Sequence, residues 1–257
     1  MNIYIKAINN HPLLHEGWNC LEEFKNRKAS KIHLYETFSQ IPLDRNTLLI
    51  ADIDDTKEFF DRMNWNVDMR ITQPLDLISS KYWKRWLNTE YVQSKGSYSR
   101  NHRRIPKEEN GDFPFFVKPA VTKVFPAQIC HTEKEWKELY ESLPDDTELI
   151  ISEVVNFVSE WRVYVLEGKI LGIFNYLGEA YTFPNIKVIN KIIQEFKQAP
   201  IGYSLDVGVL DDGETAIVEI NDGWSLGNYG LSPQLYTRLI CARWREILEQ
   251  NPVNGKI

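Results

Sequence analysis

The chain has 257 residues, of which 43% are hydrophobic, enough to bury a substantial core as one large domain or two modest ones. Its formal net charge of −6 argues against general electrostatic attachment to nucleic acid or anionic membrane, although local patches could still act. No apolar run approaches the ~20 residues of a membrane span, and the N-terminal M-N-I-Y-I-K-A-I-N-N lacks a basic-then-apolar signal order, so the cytoplasm is the expected location.

Residues 2 to 8 and 47 to 51 read as short strands of a small α/β unit with helices around 16 to 26 and 55 to 63. His11 and His15 have i, i+4 spacing, but Pro12 lies between them and no third ligand is near, which favours surface residues over zinc. Cys20, Cys130 and Cys241 are odd in number and far apart, which points to buried small hydrophobes and to neither disulfides nor a metal knuckle. The segment L-L-I-A-D-I-D-D-T sets Asp52, Asp54 and Thr56 as D-x-D-x-T after an apolar strand. That pattern resembles the first motif of haloacid-dehalogenase-like phosphatases, with Asp52 as nucleophile. Against it, no later lysine and acidic-pair motif follows, and Asp54 suits a helix N-cap.

From Lys81 to Lys107 eight basic residues interleave with Tyr82, Trp83, Trp86, Tyr91 and Tyr98. Such a run is most often a solvated face, but it is also suited to an acidic or nucleotide-bearing substrate. A strand, Phe115 to Val117, follows Pro114, and a helix carries Trp136, Leu139, Tyr140 and Leu143 until Pro144 closes it. Further β units run from Glu148 to Val155 and from Trp161 to Leu177, the second folding back at Glu167-Gly168. A last helix opens at Ser232-Pro233, serine as N-cap and proline at the first helical position.

Between these lies S-L-D-V-G-V-L-D-D-G-E-T-A-I-V-E-I-N, Ser204 to Asn221. Leu205, Val207 and Val209 alternate on one arm and Ala216, Val218 and Ile220 on the other, around an Asp-Gly dipeptide that signals a hairpin. A two-residue turn at Asp212-Gly213 sets Asp211 against Glu214 and, further out, Asp206 against Glu219. Opposed like charges repel, so a divalent cation is the expected reason for the pair. Asn221 projects from the same face as Glu219, and the three make an all-oxygen set suited to Mg²⁺.

Four elements stand in order: F-F-V-K-P with Lys118, I-I-S-E-V-V with Glu153, S-E-W-R-V-Y-V with Glu160 and Arg162, and V-E-I-N-D-G with Glu219 and Asn221. Together they resemble the ATP-grasp superfamily, and the runs N-D-G-W-S-L-G-N-Y-G-L and A-R-W-R-E resemble its clade named for two arginines and a lysine. The resemblance covers roughly residues 70 to 248. It implies an α+β fold in which two lobes grip Mg-ATP, residues 79–257, after a small α/β domain, residues 1–78. It implies further that Lys118 reaches the α- or β-phosphate, that the Glu153-Val154-Val155 edge meets adenine, and that Glu160 holds the ribose hydroxyls. Arg162 and Lys123 would act on the phosphates, and Asp206, Glu219 and Asn221 would hold magnesium. One departure is A-V-T-K-V-F-P-A, which follows the K-P strand without the glycines many relatives carry. The implied activity is ATP-dependent ligation of a small-molecule or peptide carboxylate to an amine or other nucleophile through an acylphosphate. The alternative is a nucleotide-binding protein that ligates nothing.

Overall fold

The computed structural model describes residues 1–28, 31–67, 91–94, 108, 111–119, 125–144 and 147–252, with the backbone alone at 91–94, 148, 150, 152 and 153. Lys123, the Glu153 side chain and the basic, aromatic stretch 81–107 apart from the backbone of 91–94 lie outside these residues.

Strand β1 (Asn2–Ile8) turns through Asn9 and Asn10, at φ of 51° and 62°, into the short β2 (His11–Pro12). Asparagine tolerates this left-handed region because its side chain is short and polar. Helix α1 (His15–Asn26) crosses back so that β3 (Ile32–Tyr35) runs parallel to β1, and β4 (Thr47–Ile50) adds parallel to β1 as well. Helix α2 (Ile53–Arg62) follows, and its N-cap is Asp52 rather than Asp54: the Asp52 carboxylate accepts from the Asp55 amide at 2.9 Å. That carboxylate is therefore engaged at a helix end. His11 and His15 are exposed, and His11 stacks on Trp18 with centroids 5.8 Å apart.

A second sheet contains β5 (Tyr91–Ser94), β6 (Phe115–Pro119), β7 (Gln128–Cys130) and β8 (Glu148–Glu153), antiparallel in the order β5-β8-β6-β7. Helix α3 (Glu133–Ser142) packs Trp136 against Phe115, Val117, Leu149 and Ile151 of this sheet. Its N-cap, Thr132, accepts from the Glu135 amide, and Pro144 stands just beyond its end.

The third sheet is built from β9 (Phe157–Leu166), β10 (Lys169–Gly178), β11 (Gly202–Leu210) and β12 (Thr215–Asp222), antiparallel in the order β10-β9-β11-β12. The β9–β10 turn is Glu167-Gly168, with φ of 53° and 69°, as the two positive-φ positions of a tight hairpin require. Helix α4 (Ile186–Glu195) covers one face, setting Ile189 and Ile192 against Val163, Val165, Leu205, Val207, Ile217 and Ile220. The sequence pattern does not mark this helix, because I-K-V-I-N-K-I-I is rich in β-branched residues that favour strands when isolated. Packing on the sheet overrides that preference.

The opposite face is apolar at one end only. There Tyr164, Leu226 and Leu231 join a core that also takes in Ile5, Phe59, Phe60, Trp224 and Trp244. Trp244 belongs to α5 (Pro233–Gln250), which starts as expected with Ser232 as N-cap and proline in its first turn. The Trp244 indole is fully buried, donates to the Thr47 carbonyl at 2.9 Å, and lies 5.4 Å and 5.9 Å from the rings of Phe60 and Phe59. All three cysteines are buried and unbridged. Among the described residues no helix is long and apolar enough to cross a membrane. Truncating Trp244 to alanine is expected to lower the unfolding free energy by about 3–5 kcal/mol, read from urea denaturation followed by tryptophan fluorescence.

Candidate functional site

At its other end the third sheet turns a polar face outward. Arg162 on β9 lies directly opposite Asp206 on β11, and Asp206 directly opposite Glu219 on β12, so one row crosses three strands. The next row is Tyr164, Ser204 and Asn221. Arg162 donates Nε to Asp206 Oδ1 at 2.8 Å and Nη2 to Oδ2 at 2.6 Å, a two-point pair with both residues buried. Burial pushes the Asp206 carboxyl up to about 6, against the downward pull of Arg162. Asn221 Nδ2 donates to Glu219 Oε1 at 3.0 Å and contacts Asp206 Oδ2 at 3.4 Å.

The opposition of Asp206 and Glu219 follows the expected register, but by a different route. The loop has three residues, Asp211 to Gly213: the Leu210 amide donates to the Glu214 carbonyl at 2.8 Å, and the Gly213 amide to the Leu210 carbonyl at 2.9 Å. Asp211 therefore does not face Glu214. Leu210 does. A bulge then restores the pairing, since Val207 stands opposite Ile217 while Asp206 stands opposite Glu219. Val218 is the extra residue, and it lines the cleft beside Glu219, while Ile217 takes the core position expected of Val218. Two side-chain cations stand beside the acids: Arg162 pairs with Asp206, and Lys118 Nζ lies 3.8 Å from Glu219 Oε2.

The cleft between the second and third sheets has a volume of about 760 Å³, inside the roughly 300–1,000 Å³ of small-molecule sites. Phe116, Ile129, Val154, Val155, Phe157 and Val218 supply apolar walls; Lys118, Glu160 and Glu219 supply charge. Burial pulls the Lys118 ammonium below its ordinary range, opposed by Glu219 and Asp206. Burial likewise pushes the Glu160 carboxyl up, opposed by a hydrogen bond from the Tyr176 hydroxyl. Gly208, opposite Glu160, leaves room for the Phe157 ring, which a methyl group there would overlap.

Of the residues expected here, Lys118, Val154, Val155, Glu160 and Glu219 line one cleft, and Asp206, Arg162 and Asn221 form the adjoining row. Glu153 enters through its backbone, paired with Phe115. Among the described residues no group of three or more His, Cys, Asp and Glu stands together as a metal cluster. Motif reading took the loop 223–231 as a mark of the clade and gave it no role in the site. The Tyr164 hydroxyl donates to the Gly227 carbonyl at 2.6 Å and accepts from the Tyr229 amide at 2.9 Å. This lays the Tyr229 ring 4.7 Å from the Arg162 guanidinium and stacks it on Tyr176. The loop is held from far away in sequence, by Glu16 accepting from the Asn228 amide and by Ser225 donating to the Ala51 carbonyl.

A sequence model of the ATP-grasp domain, family 2 of the clade named for two arginines and a lysine, matches residues 96–239, more than half of the chain. No curated protein matches the sequence. Among solved structures, D-alanine–D-alanine ligase from Bacillus anthracis complexed with ATP is 14% identical, with 96% of this chain and 97% of that one covered and a TM-score of 0.59. D-cycloserine synthetase DcsG is 10% identical, covers 96% and 99%, and gives a TM-score of 0.62. The ATP-grasp ligase PsnB complexed with minimal precursor is 12% identical, covers 93% and 98%, and gives 0.52. At such identities the likeness concerns the fold, an α+β ATP-grasp fold over nearly the whole chain.

Replacing Arg162 by methionine strands a buried carboxylate and is expected to cost about 3–5 kcal/mol in urea unfolding, whereas adding Asp206→Leu to that variant restores most of the loss.

Proposed function

The chain belongs to family 2 of the ATP-grasp clade named for two arginines and a lysine, and from that we propose that it is an ATP-dependent ligase joining a carboxylate to an amine through an acylphosphate. The observation that carries this reading is the reach of Lys118, on one sheet, to within 3.8 Å of Glu219, on another, across a cleft that also holds Glu160. A polyphosphate entering there meets a cation, and the apolar walls at Val154, Val155 and Phe157 accept a planar base. Phosphoryl transfer asks little covalent chemistry of a protein; it asks for positioning and charge stabilisation.

In this reading Lys118 binds phosphate, the edge from Glu153 to Val155 meets adenine, Glu160 takes the ribose, and Arg162 and Lys123 act on the phosphate end. The donor chemistry at Glu219 and Asn221 is all-oxygen and fits a hard cation, and Ser204 Oγ beside Asn221 in the ladder is buried without a hydrogen-bond partner among the described residues. Asp206 joins that set with the guanidinium in place, because each of its oxygens accepts one hydrogen bond from Arg162 and carries a further lone pair. Magnesium, when bound, neutralises the triphosphate and orients its terminal phosphoryl group.

The solved structures of similar fold include an L-amino acid ligase and a ligase complexed with a precursor, so amino acids and peptides are the first substrates to test. The basic stretch 81–107 is the candidate for an acidic or nucleotide-bearing partner. A second reading, nucleotide binding without ligation, is favoured by the Arg162–Asp206 pair, which ties two of the site groups to each other. Incubation with Mg-ATP and pools of amino acids or peptides, followed by mass spectrometry, separates the two. The ligase yields ADP together with a condensed product, and ATP binding without substrate-dependent ADP release supports the second reading. Lys118→Met and Glu219→Gln are each expected to weaken Mg-ATP binding by about tenfold or more, measured by calorimetry, and unchanged affinity in both removes the cleft from the nucleotide site.

A further inference from the structure

Strand β10 carries a bulge at Tyr176. Asn175 stands opposite Trp161 and Leu177 opposite Glu160, so Tyr176 is an extra residue against β9. Bulges re-aim side chains. This one brings the Tyr176 hydroxyl to Glu160 Oε2, where it donates at 2.6 Å. The bulge is clamped by the Asn175 amide, which donates to the carbonyls of Glu160 at 3.1 Å and Leu177 at 2.9 Å. The ring is fixed as well, stacked on Tyr229 with centroids 5.2 Å apart and planes 23° apart. Tyr176 and Glu160 both line the cleft.

An unheld glutamate here would be a poor recognition element. It samples several rotamers, and the nearby Glu219 repels it. A single short hydrogen bond to one oxygen removes that freedom and leaves the other oxygen, Oε1, with no protein donor among the described residues. A carboxylate oxygen accepts and does not donate, so it selects a ligand that brings a hydrogen-bond donor, which on a nucleotide's sugar is a hydroxyl.

Resting on the nucleotide reading above, we propose that Tyr176 is a positioning residue that makes this cleft selective for a ribonucleotide over its deoxy counterparts: by holding one oxygen of Glu160 it presents the other to a ribose hydroxyl. The bulge, the clamp and the stack explain why the hydroxyl is where it is, and no phosphate chemistry is asked of it.

The test is calorimetric titration of the full chain with Mg-ATP, Mg-2′-deoxy-ATP and Mg-3′-deoxy-ATP, for the unaltered protein, Tyr176→Phe and Glu160→Gln. The unaltered protein is expected to favour ATP over at least one deoxy form by about tenfold. In Tyr176→Phe, ATP binding falls to the deoxy level while binding of that deoxy form is unchanged, which also shows that the variant is folded. Glu160→Gln loses the same preference. Equal weakening of all three nucleotides in Tyr176→Phe, or a preserved preference, overturns the proposal and leaves the nucleotide reading standing. Equal affinity of the unaltered protein for all three also overturns it. Absence of any ATP binding removes the reading beneath it.

Discussion

The pairing of Arg162 with Asp206 is the constraint on which the polar face of the third sheet depends. Two charges taken out of water cost several kcal/mol each unless they meet with good geometry, and here both carboxylate oxygens receive guanidinium donors. The pair is a cross-strand contact between β9 and β11, so it marks the register of the two strands that form the floor. It also decides which charges remain available at the cleft. With Asp206 paired to Arg162, Glu219 lies 3.8 Å from Lys118 and Glu160 accepts from Tyr176.

Two irregularities turn a flat ladder into a wall. The bulge at Val218 places two successive residues of β12 on the cleft, one apolar and one acidic; the bulge at Tyr176 brings a hydroxyl to Glu160. Gly208 makes the complementary adjustment by omitting a side chain where Phe157 must lie. A regular sheet would present alternate residues at fixed spacing and could not crowd apolar and acidic groups this closely.

The N-terminal elements contribute to the site by support. Glu16 of α1 and the carbonyl of Ala51 grip the loop 223–231, and Tyr164 grips it from the sheet. The loop in turn lays Tyr229 over Arg162. At the end of β12, Arg243 of α5 holds Asp222 through two hydrogen bonds of 2.6 Å and 2.7 Å, next to Asn221. Cleft-side groups are thus fixed by buried ion pairs and by contacts from elements distant in sequence, the kind of preorganisation that charge stabilisation requires.

The sequence by itself determined the strands whose residues alternate, the hairpin that opposes Asp206 to Glu219, and the cap at Ser232, because these follow from short-range periodicity and local hydrogen bonding. The ordered motifs also carried the family resemblance. Only the tertiary structure decided that Arg162 answers Asp206, since the two are 44 positions apart and meet through a strand pairing no local pattern encodes. It decided that I-K-V-I-N-K-I-I is a helix, that the hairpin reaches its register through a three-residue loop and a bulge, and that Tyr176 holds Glu160. In each case the energy that settles the matter comes from burial against residues far along the chain, which outweighs the few tenths of a kcal/mol that separate local alternatives.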